Sequence, residues 1–194
     1  MSRFLDRGAI IAGWVGVGVA IVLVIALGLV IAIPALVTLA ALPTGMIVGA
    51  YANNRERRPR PVARTLANAA WAGLATGVAV AVFYVGVRLV FLYADTGRLP
   101  DDTQLACRTG PDCVYARYVA QGYGERLAVD GVVDGATYER AALGELASTA
   151  GVLVGLTLGG AVVAGGFQAI TRSRMARSGA EAGPGPAAGG GVAA

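Results

Sequence analysis

The chain contains no histidine and no lysine, has only two cysteines in 194 residues, and carries charge on just 14% of its positions. Each shortage removes chemistry. Without imidazole there is no histidine base, no histidine proton relay and no histidine metal ligand, so many hydrolase and zinc-enzyme mechanisms fall together. Two thiols are too few to hold a zinc ion by themselves and too few for a relay between two dithiol pairs. A charged fraction of 14% lies well below the roughly 25% of soluble domains, which points to a membrane composition. All sixteen basic residues are arginine, and with the bias to Ala, Gly and Val this resembles the codon usage of a GC-rich bacterium.

What fills the space is apolar. Residues 8–52 hold no charged side chain, and as one helix they would run to roughly 67 Å, about twice the hydrocarbon thickness of a bilayer. The run must therefore fold back. Pro34 is the expected pivot, because the residue before a proline avoids the helical region while proline itself suits a first helical turn. Spans over 8–33 and 35–52 follow, with Pro43 inside the second; Pro43-Thr44-Gly45 is the rival turn. The first run is about twice the 7–15-residue core of a signal peptide, and no small-x-small cleavage site ends it, so it reads as a retained helix. Two more runs give spans over 65–87 and 146–170. The expected fold class is an all-α membrane protein, a four-helix bundle over 1–177 with a tail at 178–194 whose Gly, Ala and Pro composition predicts disorder.

Between the second and third spans stand Arg55, Arg57, Arg58, Arg60 and Arg64. Basic residues flanking spans stay on the cytoplasmic side, so this connector orients the molecule with both termini inside. The segments assigned inside, 1–7, 53–64 and 171–194, hold ten arginines against three acids, a net of +7. The outer segment, 94–145, holds five arginines against nine acids, a net of −4, and Arg88 completes the overall +4. Trp14, Tyr51, Trp71 and Phe167 fall near the inner ends of the spans and Phe91 and Tyr93 near an outer end, as interfacial aromatic belts require. A net positive charge would also suit nucleic acid, but here the arginines border apolar runs, where orientation and anionic lipid account for them.

Every span carries small residues four apart, which lets helix backbones approach closely in lipid. These are Gly8, Ala12, Gly16 and Ala20; Ala41, Gly45 and Gly49; Ala69, Gly73, Gly77 and Ala81; and Ala147, Gly151, Gly155 and Gly159. The three glycines of the last set make it the expected packing seam, directed to a neighbour in the same chain in preference to another subunit.

The outer segment is too long for a bare loop and carries structure signals. Cys107 and Cys113 enclose a Gly110-Pro111 turn, which predicts a disulfide in an oxidising compartment. A reactive dithiol is the lesser reading, since no second cysteine pair exists to pass electrons on. A short helix is expected over 112–121, and the pattern from Ala136 onward should run into the fourth span. Arg88 is the one charged side chain inside an apolar run. Such groups are functional by default in a membrane, but so near the outer end it can also snorkel to the interface or pair with Glu145. Asn68, Thr76, Thr149, Thr157 and Gln168 do not outline a polar path.

No motif is specific to one family, and no catalytic, cofactor or metal residues emerge. The expectation is a cell-membrane protein with a disulfide-stapled outer cap, acting through assembly or contacts with a membrane partner or a second copy. The alternatives are a small transporter or channel subunit and, behind it, a membrane thiol-disulfide enzyme.

Overall fold

The computed structural model is helical and describes residues 5–30, 34–54, 61–99 and 101–181. The helices are α1 (Arg7–Val24), continued by a π-helical segment (Ile25–Val30), α2 (Pro34–Asn54), α3 (Val62–Tyr93), α4 (Pro111–Ala120), α5 (Gly124–Val129) and α6 (Gly135–Glu181). Four of them, α1, α2, α3 and α6, are long and apolar enough to cross a membrane. The short α4 and α5 belong to the connection between α3 and α6. The β pairing among the described residues is one isolated bridge, Arg98 to Gln104.

Proline and capping chemistry explain the boundaries. α2 starts on Pro34 and keeps Pro43 in its interior, so the rival turn at Pro43-Thr44-Gly45 is not used. α4 opens with Pro111 after Gly110, places Asp112 in its first turn and Arg117 in its last, and so complements the helix dipole at both ends. α6 is started by a reciprocal cap. The Thr137 N–H donates to Asp134 Oδ1 at 2.7 Å, while the Asp134 N–H donates to Thr137 Oγ1 at 3.0 Å.

Three boundaries differ from the sequence reading. α3 begins three residues before 65 and ends six residues after 87; no proline interrupts Val62–Tyr93, and the helix runs through Gly86 without a break. α6 merges the helix expected from Ala136 with the fourth span, as anticipated, but extends to Glu181, past the expected start of the tail at 178. Residues 182–194 and Arg55, Arg57, Arg58 and Arg60 lie outside the described residues.

α2 and α3 touch each other, and α1 and α6 each lie against both. Small residues make this closeness available. A Cβ on Gly45 would enter the Thr157 carbonyl, and one on Gly49 would stand 2.6 Å from the Cα of Ala161. A Cβ on Gly73 would strike Ala161, and one on Gly77 would sit 3.1 Å from the Cα of Val154. α6 answers with Leu153, Thr157, Gly160, Ala161, Ala164 and Gly165, all buried. The expected seam of Gly151, Gly155 and Gly159 is not the intrachain one. All three are exposed, and a Cβ at any of them meets nothing within 4 Å. The reason is angular: two residues turn an α-helix by about 200°, so the row through 151, 155 and 159 is on the opposite face from the buried row through 153, 157, 161, 165 and 169.

Polar side chains gather at one end of the bundle. Asn68 Nδ2 donates to Asp6 Oδ2 at 2.8 Å, and Arg64 Nε stands 3.7 Å from Asp6 Oδ1. Asn53 donates to the Thr65 carbonyl at 3.1 Å, Gln168 to the Ala50 carbonyl at 3.2 Å, and Arg172 to the Asn53 carbonyl at 3.1 Å. The start of α1, the end of α2, the start of α3 and the Gln168–Arg172 stretch of α6 therefore share this end. Asn68 and Gln168, scattered in sequence, are ties between helices. Thr76 and Thr157 bond to their own helix carbonyls at 2.8 and 2.7 Å.

Candidate functional site

At the opposite end α3 and α6 rise together, and the segment joining them folds back as a cap. Cys107 and Cys113 form the expected disulfide, with Cα atoms 5.2 Å apart. Gly97, at φ +73°, packs against both sulfurs, where no side chain would fit. The cap is anchored by Asp95. This carboxylate accepts from the Gly97 N–H at 2.7 Å and from Arg117 Nη2 at 2.7 Å, with 9% of its side chain exposed. Tyr115 donates to the Val133 carbonyl at 2.8 Å, and Tyr93 donates to Glu139. Outside the helical bundle, the Thr103 side chain and N–H hold the Asp101 carboxyl below its ordinary range.

Between cap and bundle lies a cavity of about 360 Å3. α3 and its continuation supply Tyr84, Arg88, Phe91, Leu92 and Asp95; α4 supplies Val114, Arg117 and Tyr118. α6 supplies Tyr138, Ala142, Glu145, Leu146 and Thr149. Arg88 Nε stands 3.4 Å from the Tyr84 hydroxyl, and its guanidinium lies 5.6 Å from the centre of the same ring. That placement joins a weak hydrogen bond to a cation–π contact. Arg88 does not pair with Glu145: among the described residues no ion pair involves either side chain. The Tyr118 ring lies 5.9 Å from Tyr138 and 6.1 Å from Tyr123. The Nε of Arg117 is buried without a hydrogen-bond partner.

The chain matches no family model, no curated protein and no solved structure.

The residues singled out in the sequence divide cleanly. Cys107 and Cys113 hold the cap that roofs the cavity, and Arg88 lines its wall. Gly73 and Gly77 are at the α3–α6 contact, far along the helix from the cavity. Arg64 is at the other end, beside Asp6. The sequence reading missed Tyr84, Asp95, Arg117, Tyr118, Tyr138 and Thr149 as parts of one site. A signal was there: Tyr84, Arg88, Phe91 and Asp95 are spaced four, three and four apart, and so are Tyr138, Ala142, Glu145 and Thr149. Each set marks one stripe of a helix on which polar and aromatic residues recur beside an apolar run. Among the described residues no group of three His, Cys, Asp or Glu side chains is placed to hold a metal.

Proposed function

We propose that the chain is a four-span membrane protein that works by binding, through the cavity between its outer cap and the α3–α6 pair. Three features support insertion. Large apolar side chains cover the outside of the bundle, among them Leu39 and Ile47, each 70% exposed. Surface of that kind needs an apolar solvent. On α3, Arg64 and Arg88 bracket an uncharged stretch of roughly 35 Å at 1.5 Å per residue, close to one hydrocarbon thickness. Trp14, Trp71, Phe91, Tyr93 and Phe167 point outward, where an aromatic belt belongs.

Orientation follows from charge. With the arginine-rich connector in the cytoplasm, both termini are cytoplasmic and the cap is outside the cell membrane, where its disulfide persists. The observation that carries the binding reading is the cavity itself, a concave site where four charged side chains and three tyrosines converge beside Phe91, Leu92, Val114 and Leu146. A transport path finds less support, since Thr76 and Thr157, fully buried in the bundle, satisfy their own helices.

Native mass spectrometry of the full chain in mild detergent tests the reading. The wild type retains a noncovalent adduct; Ala142→Trp, which fills the cavity, loses it while helix content and the disulfide stay intact. An adduct that survives Ala142→Trp, or none in the wild type, contradicts it. Proteoliposome solute flux that disappears in Arg88→Ala would favour a transporter.

A further inference from the structure

The charges of the cavity specify more than a binding site. Four charged side chains line it, two arginines and two acids. Arg117 and Asp95 neutralise each other at 2.7 Å, with Asp95 nearly buried. That leaves Arg88 on α3 and Glu145 on α6, which face one cavity without forming an ion pair between them. A cation and an anion that line one cavity without pairing complement a ligand that carries both charges. A purely anionic ligand would be repelled by Glu145 and a purely cationic one by Arg88.

The position adds a second constraint. Arg88 ends the uncharged stretch of α3, and Glu145 immediately precedes that of α6, which runs from Leu146 to Thr171. Both therefore stand at the level where head groups meet hydrocarbon. Phe91, 60% exposed, gives the cavity an apolar edge at the protein surface, and Leu92 and Leu146 line it further in. Resting on the membrane-embedded binding reading above, we infer that the ligand is a zwitterionic phospholipid: its phosphate is held by the Arg88 guanidinium, and its ammonium by Glu145 beside the Tyr118 and Tyr138 rings. Guanidinium pairs with phosphate through a planar fork of donors. An ammonium is drawn both by carboxylate and by aromatic faces. The volume of about 360 Å3 takes a head group and its glycerol, leaving the acyl chains along the apolar helix surfaces.

The test titrates the full chain in nonionic detergent, by native mass spectrometry, with phosphatidylethanolamine, with phosphatidylglycerol of the same acyl chains, and with free O-phosphoethanolamine. Phosphatidylethanolamine binds at least tenfold more tightly than phosphatidylglycerol, and the free head group at least a hundredfold more weakly. Glu145→Gln abolishes the preference by raising phosphatidylglycerol binding, and Arg88→Gln weakens both lipids at least tenfold. A gain for one lipid on Glu145→Gln is an outcome that a misfolded variant does not give. Equal binding of both lipids by the wild type, with Ala142→Trp removing both, overturns the zwitterion and leaves the cavity reading intact. Lipid binding unaffected by Ala142→Trp overturns both. Tight binding of free O-phosphoethanolamine overturns the lipid assignment in favour of a soluble zwitterion.

Discussion

The two faces of α6 are both rich in small residues and do opposite things. The face through Leu153, Thr157, Ala161 and Gly165 is closed against α2 and α3 so tightly that glycines on those helices stand against its backbone. The face through Gly151, Gly155 and Gly159 is open along its whole length. Glycine spacing thus shows that a helix can be approached closely, and not from which side. What selects the inner face is the partner surface: Gly45 and Gly49 on α2 and Gly73 and Gly77 on α3 receive α6 only where it presents Thr157 and Ala161. The same inner side continues past the bundle, where Gly135 lies against Asp112 of α4, so one face of one helix organises both bundle and cap.

The strongest way to break this contrast is to enlarge one residue on each side of it. Gly45→Leu forces a branched side chain into the Thr157 carbonyl and should cost roughly 3 kcal/mol or more, seen as a large fall in thermal midpoint in detergent. Gly155→Leu should change the midpoint of the single chain by no more than about 0.5 kcal/mol, since it adds a side chain where none is met. Equal losses at the two positions would erase the distinction between the faces. Next in size, replacing both cysteines with serine removes the staple and should cost about 2 kcal/mol on the loop-closure account. Hydrogen exchange then localises the loss to 95–129 and spares 153–169; loss spread evenly through α6 would mean that cap and bundle are one cooperative unit.

The smallest effect sharpens the start of α6. Asp134 accepts from the backbone N–H and hydroxyl of Thr137, and these bonds hold its carboxyl below the ordinary range. A depressed carboxyl stabilises above its unfolded pKa, and that contribution disappears as the pH falls through the folded value. Asp134→Ala should therefore loosen the first turns of α6 at neutral pH, less than loss of the staple does. The difference from wild type should vanish under acid. A difference that persists at low pH would assign the effect to something other than the cap.

Much of this was legible in the chain. The start of α2 on Pro34, the count of apolar helices, the Cys107–Cys113 bridge and the continuity of α6 follow from proline stereochemistry, apolar run length and turn chemistry, all local quantities. Gly73 and Gly77 are legible too, because they are the one pair of glycines four apart in α3. α6 carries small residues four apart on both faces, and local pattern cannot choose between them; the choice belongs to its partners. The cavity escaped for a related reason. Arg88 stood out alone because charge inside an apolar run is conspicuous, whereas Tyr84, Tyr118 and Tyr138 look ordinary until three helices bring them together. Glu145 was noticed only as a partner for Arg88, and the finding that the two remain apart is what gives the cavity its character.

Sidedness decides the account most directly. Single cysteines at Asn54→Cys, beside the arginine-rich connector, and Tyr123→Cys, in the cap, can be challenged with a membrane-impermeant maleimide on intact cells while the native pair stays bridged. The account predicts that position 123 reacts at once and position 54 only after the membrane is opened. Reaction at 54 with protection at 123 would invert the molecule, put the cap and its disulfide in the reducing cytoplasm, and contradict the assignment of the cavity to the outer face.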